Sequence, residues 1–195
     1  MFKECKTERS AKRQRLIENT LFDMMKRRSY DDITVTDLCE ELKMPRKAFY
    51  RYFDSKDCAL QGLIVHTLPE YAKEQTPIAG QRVLRNELMG FFEFWKKRHE
   101  LLEVLDRNGK ISIVMECCLS FPVETFVSIE RILPDEEPAM RDKIYRFAIG
   151  GLISIVIEWY REGFKEPASE IARLAVRVLT KPPFPALSRM GMSDI

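Results

Sequence analysis

Apolar residues recur at helical spacing along most of this 195-residue chain, and no stretch alternating at period two competes with them. Such a chain buries its apolar surface by packing helix on helix. The first run, Ile17, Thr20, Leu21, Met24 and Met25, follows the i, i+3, i+4, i+7, i+8 rule, predicting an amphipathic helix from Arg9 to Arg28 with a basic outer face. Beyond the polar connector Ser29-Tyr30-Asp31-Asp32-Ile33, Thr34 and Asp37 stand in capping-box relation ahead of the stripe Val35, Leu38, Cys39 and Leu42. A second helix of about two turns is expected there. Lys43-Met44-Pro45 breaks it, because proline is disfavoured inside a helix but preset for a first turn. Pro45 therefore opens a third helix, whose buried side is Ala48, Phe49, Tyr52 and Phe53. Asp54 and Asp57 then offer a cap for a fourth, carrying Ala59, Leu60, Leu63 and Ile64.

Pro69 and the segment 75–80 punctuate the chain beyond that fourth helix's apolar stripe. Arg82 to Leu105 reads as one aromatic-rich helix, Arg107-Asn108-Gly109-Lys110 as a turn, and Ile111 to Leu119 as an apolar helix. Val123 to Leu133 leads to a solvated loop at 134–138. Ala139 to Glu162 makes a long helix stopped by Gly163, and Pro167 to Leu179 the last one. The fold class expected is all-α: a helix-turn-helix domain at 1–60, a helical regulatory and dimerisation domain at 61–182, and a flexible tail at 183–195.

Composition narrows the chemistry. Cys5, Cys39, Cys58, Cys117 and Cys118 show no CxxC spacing and read as reduced, mostly buried thiols. His66 and His99 are isolated, and no HExxH, GxSxG or glycine-rich phosphate loop occurs, so no cofactor, no metal and no catalytic residue is expected. A small hydrolase using Cys117 or His99 would need an oriented base and an oxyanion site that the sequence does not offer. The N-terminus lacks the apolar core of a signal peptide, and the apolar run from Phe147 to Ile157 falls short of the roughly 20 residues that span a bilayer. A cytoplasmic, nucleoid-associated protein without a membrane partner is expected.

Residues 34–53 have the spacing of a helix-turn-helix. Val35, Leu38 and Leu42 pack the first helix; the second turns Arg46, Lys47, Tyr50 and Arg51 outward over Phe49 and Phe53. A helix so dressed can enter the major groove of double-stranded DNA, where Arg or Lys reaches guanine and hydroxyls meet phosphates. Two short helices with a solvated basic face in any bundle are the alternative. Charge is distributed to suit the first reading: residues 43–56 hold 5 Lys+Arg against 1 Asp, whereas the whole chain nets only +2.

Ile33-Thr34-Val35-Thr36-Asp37-Leu38, followed by Ala48-Phe49-Tyr50-Arg51-Tyr52-Phe53-Asp54-Ser55-Lys56-Asp57, resembles the N-terminal signature of tetracycline-repressor-like (TetR family) transcriptional regulators. The resemblance covers roughly Arg9 to Ile64. It implies base contacts from Arg46 and Lys47 with Pro45 and Arg51 beside them, a phosphate contact from Tyr50, a packing aromatic at Tyr52 and a phosphate-holding Lys56. Thr34 and Thr36 would cap helices and donate to the DNA backbone. Four positions depart from the family pattern. Ser29 and Lys43 stand where glycine is usual, and Pro45 where a capping serine is usual. Lys47 also replaces a residue that is often glycine. The operator therefore does not transfer from relatives.

The resemblance further implies a ligand-responsive bundle that dimerises through its last two long helices. The segment 147–157 is apolar nearly all round, so with Trp159 the expected homodimer interface is Ile149, Leu152, Ile153, Val156, Trp159, Ile171, Leu174, Ala175 and Val178. An ordinary monomer core is the alternative. Phe91, Phe94, Trp95, His99, Met115, Phe126 and Tyr145 could line a pocket for a small-molecule effector, or be plain core. The function expected is a homodimeric repressor at a palindromic operator, tuned by that effector. The competing reading is a helical protein-interaction adaptor without DNA binding.

Overall fold

The computed structural model describes residues 3, 5, 7–74, 84–121 and 137–180, and every regular element among them is helical. The expectations for 75–80, 123–133, the 134–138 loop up to residue 136 and the tail 183–195 lie outside the described residues, as does Phe126.

Helix α1 spans Glu8–Arg27, started by a capping box in which Thr7 and Ser10 exchange hydrogen bonds. Its apolar stripe of Ile17, Leu21 and Met25 is fully buried, each side chain contributing about 1.5–3 kcal/mol. Helix α2 is Val35–Glu41 and α3 Arg46–Phe49. Helix α4, Lys56–Glu74, continues through Pro69 and through the expected 60/61 domain boundary. Leu68 and Tyr71, buried on either side of Pro69, hold the helix together across the residue that lacks an N–H. The expected aspartate cap is corrected too: Ser55 Oγ accepts from Cys58 N–H at 3.1 Å, while Asp54 pairs with Lys3 at 3.2 Å and Asp57 accepts from the Tyr30 hydroxyl at 2.5 Å.

The single helix expected from Arg82 to Leu105 is two: α5, Leu84–Lys97, and α6, His99–Arg107. The break at Arg98 (φ −102°, ψ 27°) carries no proline or glycine. Its cause is tertiary. The guanidinium of Arg98 folds back to Phe94 O at 3.1 Å, lies 3.6 Å from the Phe94 ring centre and reaches Glu70 of α4 at 2.8 Å. Helix α7 is Ser112–Ser120, α8 Pro138–Arg161 and α9 Ala168–Thr180. Gly109 and Gly163 take positive φ in the turns that end α6 and α8.

Helix α4 packs on both α1 and α7; α8 lies on α7, and α9 on α5. The α6–α7 turn also braces the end of α1: Asn108 Oδ1 accepts from Tyr30 N–H at 2.6 Å, and Arg107 donates to Lys26 O at 2.9 Å. The helix-turn-helix is thus attached to the body by the continuous helix α4 and by contacts of α1 with α6 and the turn after it, among them the Lys26–Glu100 pair at 2.8 Å. Among the described residues no helix is long and apolar enough to cross a membrane.

Candidate nucleic-acid interface

Each piece of the interface follows from a local signal. Thr34 caps α2, its hydroxyl accepting from Asp37 N–H at 3.1 Å and donating to Asp37 Oδ2 at 2.7 Å, while Thr34 N–H donates to the same carboxylate oxygen. Those bonds lower the Asp37 pKa, as does the nearby Arg28. Thr36, expected as a second cap, instead lies within the first turn of α2 and is exposed.

Helix α2 ends in a Schellman motif. Lys43 N–H donates to Glu40 O at 3.0 Å and Met44 N–H to Cys39 O at 2.9 Å, which places Lys43 in the left-handed region at φ 48°. This is the position where the family pattern has glycine, and the backbone demand for it persists. Pro45, in extended conformation at φ −70° and ψ 145°, starts α3 without a side-chain cap.

In α3 and the turn after it, Phe49 and Phe53 are fully buried with rings 5.7 Å apart. Pro45, Arg46, Lys47, Tyr50 and Arg51 are exposed, and Tyr52 is half-buried. Arg46 donates to the Tyr50 hydroxyl oxygen at 3.3 Å, leaving the hydroxyl proton available to an acceptor. The five side chains stand on one short, rigid support: an outward basic face with its aromatic base in the core.

Lys56, expected to hold a phosphate, is half-buried at the start of α4. Its ammonium donates to Tyr30 O and Ile33 O, both at 2.6 Å, and lies 4.0 Å from the Tyr30 ring centre. Burial lowers its pKa against the opposing pull of Asp57 and Asp31. It holds the α1–α2 connector and keeps one N–H for another partner. Sequence reading missed Lys3, whose ammonium donates to Tyr50 O at 2.7 Å and whose backbone N–H donates to Tyr52 O at 2.9 Å. An extended residue before the first helix carries no periodicity that could have marked it.

The family model described as "Bacterial regulatory proteins, tetR family" matches residues 20–58, from the middle of α1 to the start of α4. The chain is a TetR-like, DNA-binding transcriptional regulator. No curated protein matches this regulator by sequence. Among solved structures it is similar to a tetR-family transcriptional regulator from Streptomyces coelicolor, with TM-score 0.54 and 19% identity over 94% of this chain and 90% of that one. It is also similar to the dihydroxyacetone kinase operon activator DhaS, with TM-score 0.50 and 19% identity over 86% of this chain and 93% of that one. At that identity the two structures speak for the fold alone.

In the body of the TetR-like regulator, Phe91, Phe94 and Trp95 are buried and pack ring to ring, Tyr71 lying 6.1 Å from Phe91 and 5.4 Å from Phe94. Tyr145 is buried, Met115 half-buried, and His99 exposed at the start of α6, apart from the ring cluster. Of the expected dimer residues, Ile149, Ile153, Val156, Trp159, Ile171 and Ala175 are closed off within the single chain, so they build its own core. Leu152 is half-buried; Leu174 and Val178 are exposed. Among the described residues Gly150 and Gly151 serve no close crossing, since a Cβ at Gly151 would meet nothing within 4 Å and one at Gly150 only the Leu119 side chain at 3.9 Å. Burial pushes the Cys117 thiol up to about 12, and it donates to Gln61 O at 3.9 Å, which is no environment for a thiolate nucleophile.

Proposed function

We propose that this TetR-like regulator is a homodimeric repressor that reads a palindromic operator through the helix-turn-helix at 34–53. The observation that carries the reading is the Arg46, Lys47, Tyr50 and Arg51 face, exposed together on a support whose Phe49 and Phe53 are fully buried. Arg46 and Lys47 probe bases with Pro45 and Arg51 beside them, and Tyr50 and Thr36 donate to phosphates. Thr34, Tyr52 and Lys56 hold the backbone that carries these donors. A two-fold dimer would set two such faces about 34 Å apart or a multiple of it, matching half-sites on one side of the duplex. A small molecule bound in the helical body would favour a dimer whose spacing no longer fits. The helix α4 and the Arg107–Asn108 turn are the links along which that change would reach α1. Repression is the direction we assign; the fold also serves a protein named as an operon activator.

Selection of bound fragments from a random duplex library tests the reading. Palindromes should be enriched. Arg46→Ala should cost about 1–3 kcal/mol at one position of each half-site and relax preference there. Tyr50→Phe should weaken binding to all sequences alike. Lys56→Ala is a poor probe of phosphate contact, because it also frees two carbonyls. If wild-type protein enriches no sequence, or both variants leave the enriched set and its affinity unchanged, the assignment of this face fails.

A further inference from the structure

The first turns of α1 form a second basic surface that the helix-turn-helix reading does not use. Arg9, Lys12, Arg13 and Leu16 fall at i, i+3, i+4 and i+7, so they share one side of the helix, turned away from the buried Gln14, Ile17, Glu18 and Leu21. With Thr7, Ser10 and Tyr52 they line an open cleft of about 620 Å³, and among the described residues no acidic side chain lines it. Lys12 pairs with Glu8 at 2.7 Å, both exposed. Among the described residues no carboxylate pairs with Arg9 or Arg13.

The arrangement works against the helix that carries it. Cations in the opening turns oppose the positive end of the helix dipole, and like charges at i and i+4 repel. Selection for stability alone favours acids there, so the cluster points to an anionic partner. Tyr52 says where that partner lies: it is a wall of this cleft and, two residues after Tyr50, part of the recognition segment. Lys3 bridges the same two places, its ammonium on Tyr50 O at 2.7 Å and its backbone N–H on Tyr52 O at 2.9 Å. The cleft is continuous with the proposed DNA face and complementary in charge to a phosphodiester backbone.

We propose that Arg9, Arg13 and Lys12 form an outer phosphate clamp that grips duplex DNA beyond the base pairs read by α3. The clamp rests on the DNA-binding reading and deepens it. It supplies affinity and footprint length, while Arg46 and Lys47 supply sequence preference.

The test compares wild type, Arg9→Ala/Arg13→Ala and a control, Lys143→Ala/Lys165→Ala, which removes the same charge from exposed positions of the body. Each is titrated against a duplex the wild type has selected, in a version trimmed to the half-sites and one extended on both sides. A mixed-sequence duplex of the longer length serves as well. Releasing two phosphates per subunit, four per bound dimer, should lower the slope of log affinity against log salt by roughly 4, so wild type should lose on the order of a hundredfold more affinity than the clamp variant between 50 and 200 mM salt. The loss should show on the extended and mixed-sequence duplexes, vanish on the trimmed one, and leave base preference unchanged. An unchanged slope, an equal loss on trimmed and extended duplexes, or an equal effect in the control overturns the clamp. Failure of wild type to select any sequence overturns the helix-turn-helix reading instead, and the mixed-sequence arm still decides the clamp.

Discussion

At the scale of single residues, the turn between α2 and α3 carries the most telling conflict between side chain and backbone. The Schellman motif demands a left-handed residue, and Lys43 supplies it at φ 48°. An L-residue there costs about 1–2 kcal/mol, part of which glycine would return through the larger entropy of the unfolded chain. Lys43→Gly should therefore stabilise the protein by about 0.5–1 kcal/mol, read as a higher urea midpoint with unchanged slope. Phe164, at φ 54°, shows why such strain persists elsewhere: its ring stands 4.8 Å from Trp159 and 6.0 Å from Tyr160, and glycine would forfeit those contacts. Lys43 buries nothing comparable. Its retained charge beside Arg46 and Lys47 suits a DNA-facing turn, so the same substitution should weaken DNA binding while it stabilises the fold. Stability and affinity moving together would contradict this account.

Between elements, the α1–α4 contact holds a carboxylate where an apolar residue would be ordinary. Glu18 is fully buried; Arg15 donates to its Oε2 at 3.1 Å, and His66 Nδ1 of α4 lies 2.8 Å from its Oε1. A Cβ added at Gly62 would come within 2.7 Å of that Oε1, so the glycine is what lets α4 approach. Burial, only partly offset by Arg15, raises the Glu18 pKa from 4.5 to about 7. The folded chain then holds this proton to higher pH than the unfolded chain does. Stability is thus greatest below the unfolded value and falls as pH rises from about 4.5 to 7, by on the order of 3 kcal/mol or less. Glu18→Gln should flatten that fall: in thermal melts at pH 5 and pH 8, the variant should gain on wild type at the higher pH. Because His66 lies 2.8 Å from the same carboxylate, the difference reports the Glu18–His66 pair; parallel melting curves would refute the assignment. Glu18 was legible only as an anomaly, a charge on the apolar side of α1 beside Ile17 and Leu21. The capping box at Thr34, the break at Pro45 and the Phe49–Phe53 base were legible outright, because residues within four positions determine them. The break at Arg98 and the carbonyls that hold Lys56 were not, since the distant partners are Glu70 of α4 in one case and the α1–α2 connector in the other.

For the molecule as a whole, the question is how one recognition face becomes two. The residues expected at the dimer interface mostly close the core of the single chain, which moves the candidate surface outward on the same two helices. On α8 these are Met140, 45% exposed, and Phe147, 82% exposed; on α9 they are Leu174, Val178 and Leu179, each 37–40% exposed. Gly151, one turn from Phe147, is exposed and has open space where a Cβ would stand, so another backbone could approach there. Scattered apolar residues are normal on a surface, but a phenylalanine this exposed contributes little to its own chain's core and gains only if something covers it. The dimer proposed for palindrome recognition supplies that cover. Phe147→Glu should then leave the thermal midpoint of the isolated chain almost unchanged, shift sedimentation toward the 22.9 kDa monomer, and weaken binding to the selected palindrome by about a hundredfold or more. Weak, salt-sensitive binding to a single half-site should survive, because the helix-turn-helix is untouched. A variant that remains dimeric places the interface elsewhere; one that is monomeric yet binds the palindrome as well as wild type removes the need for a two-fold reader at all.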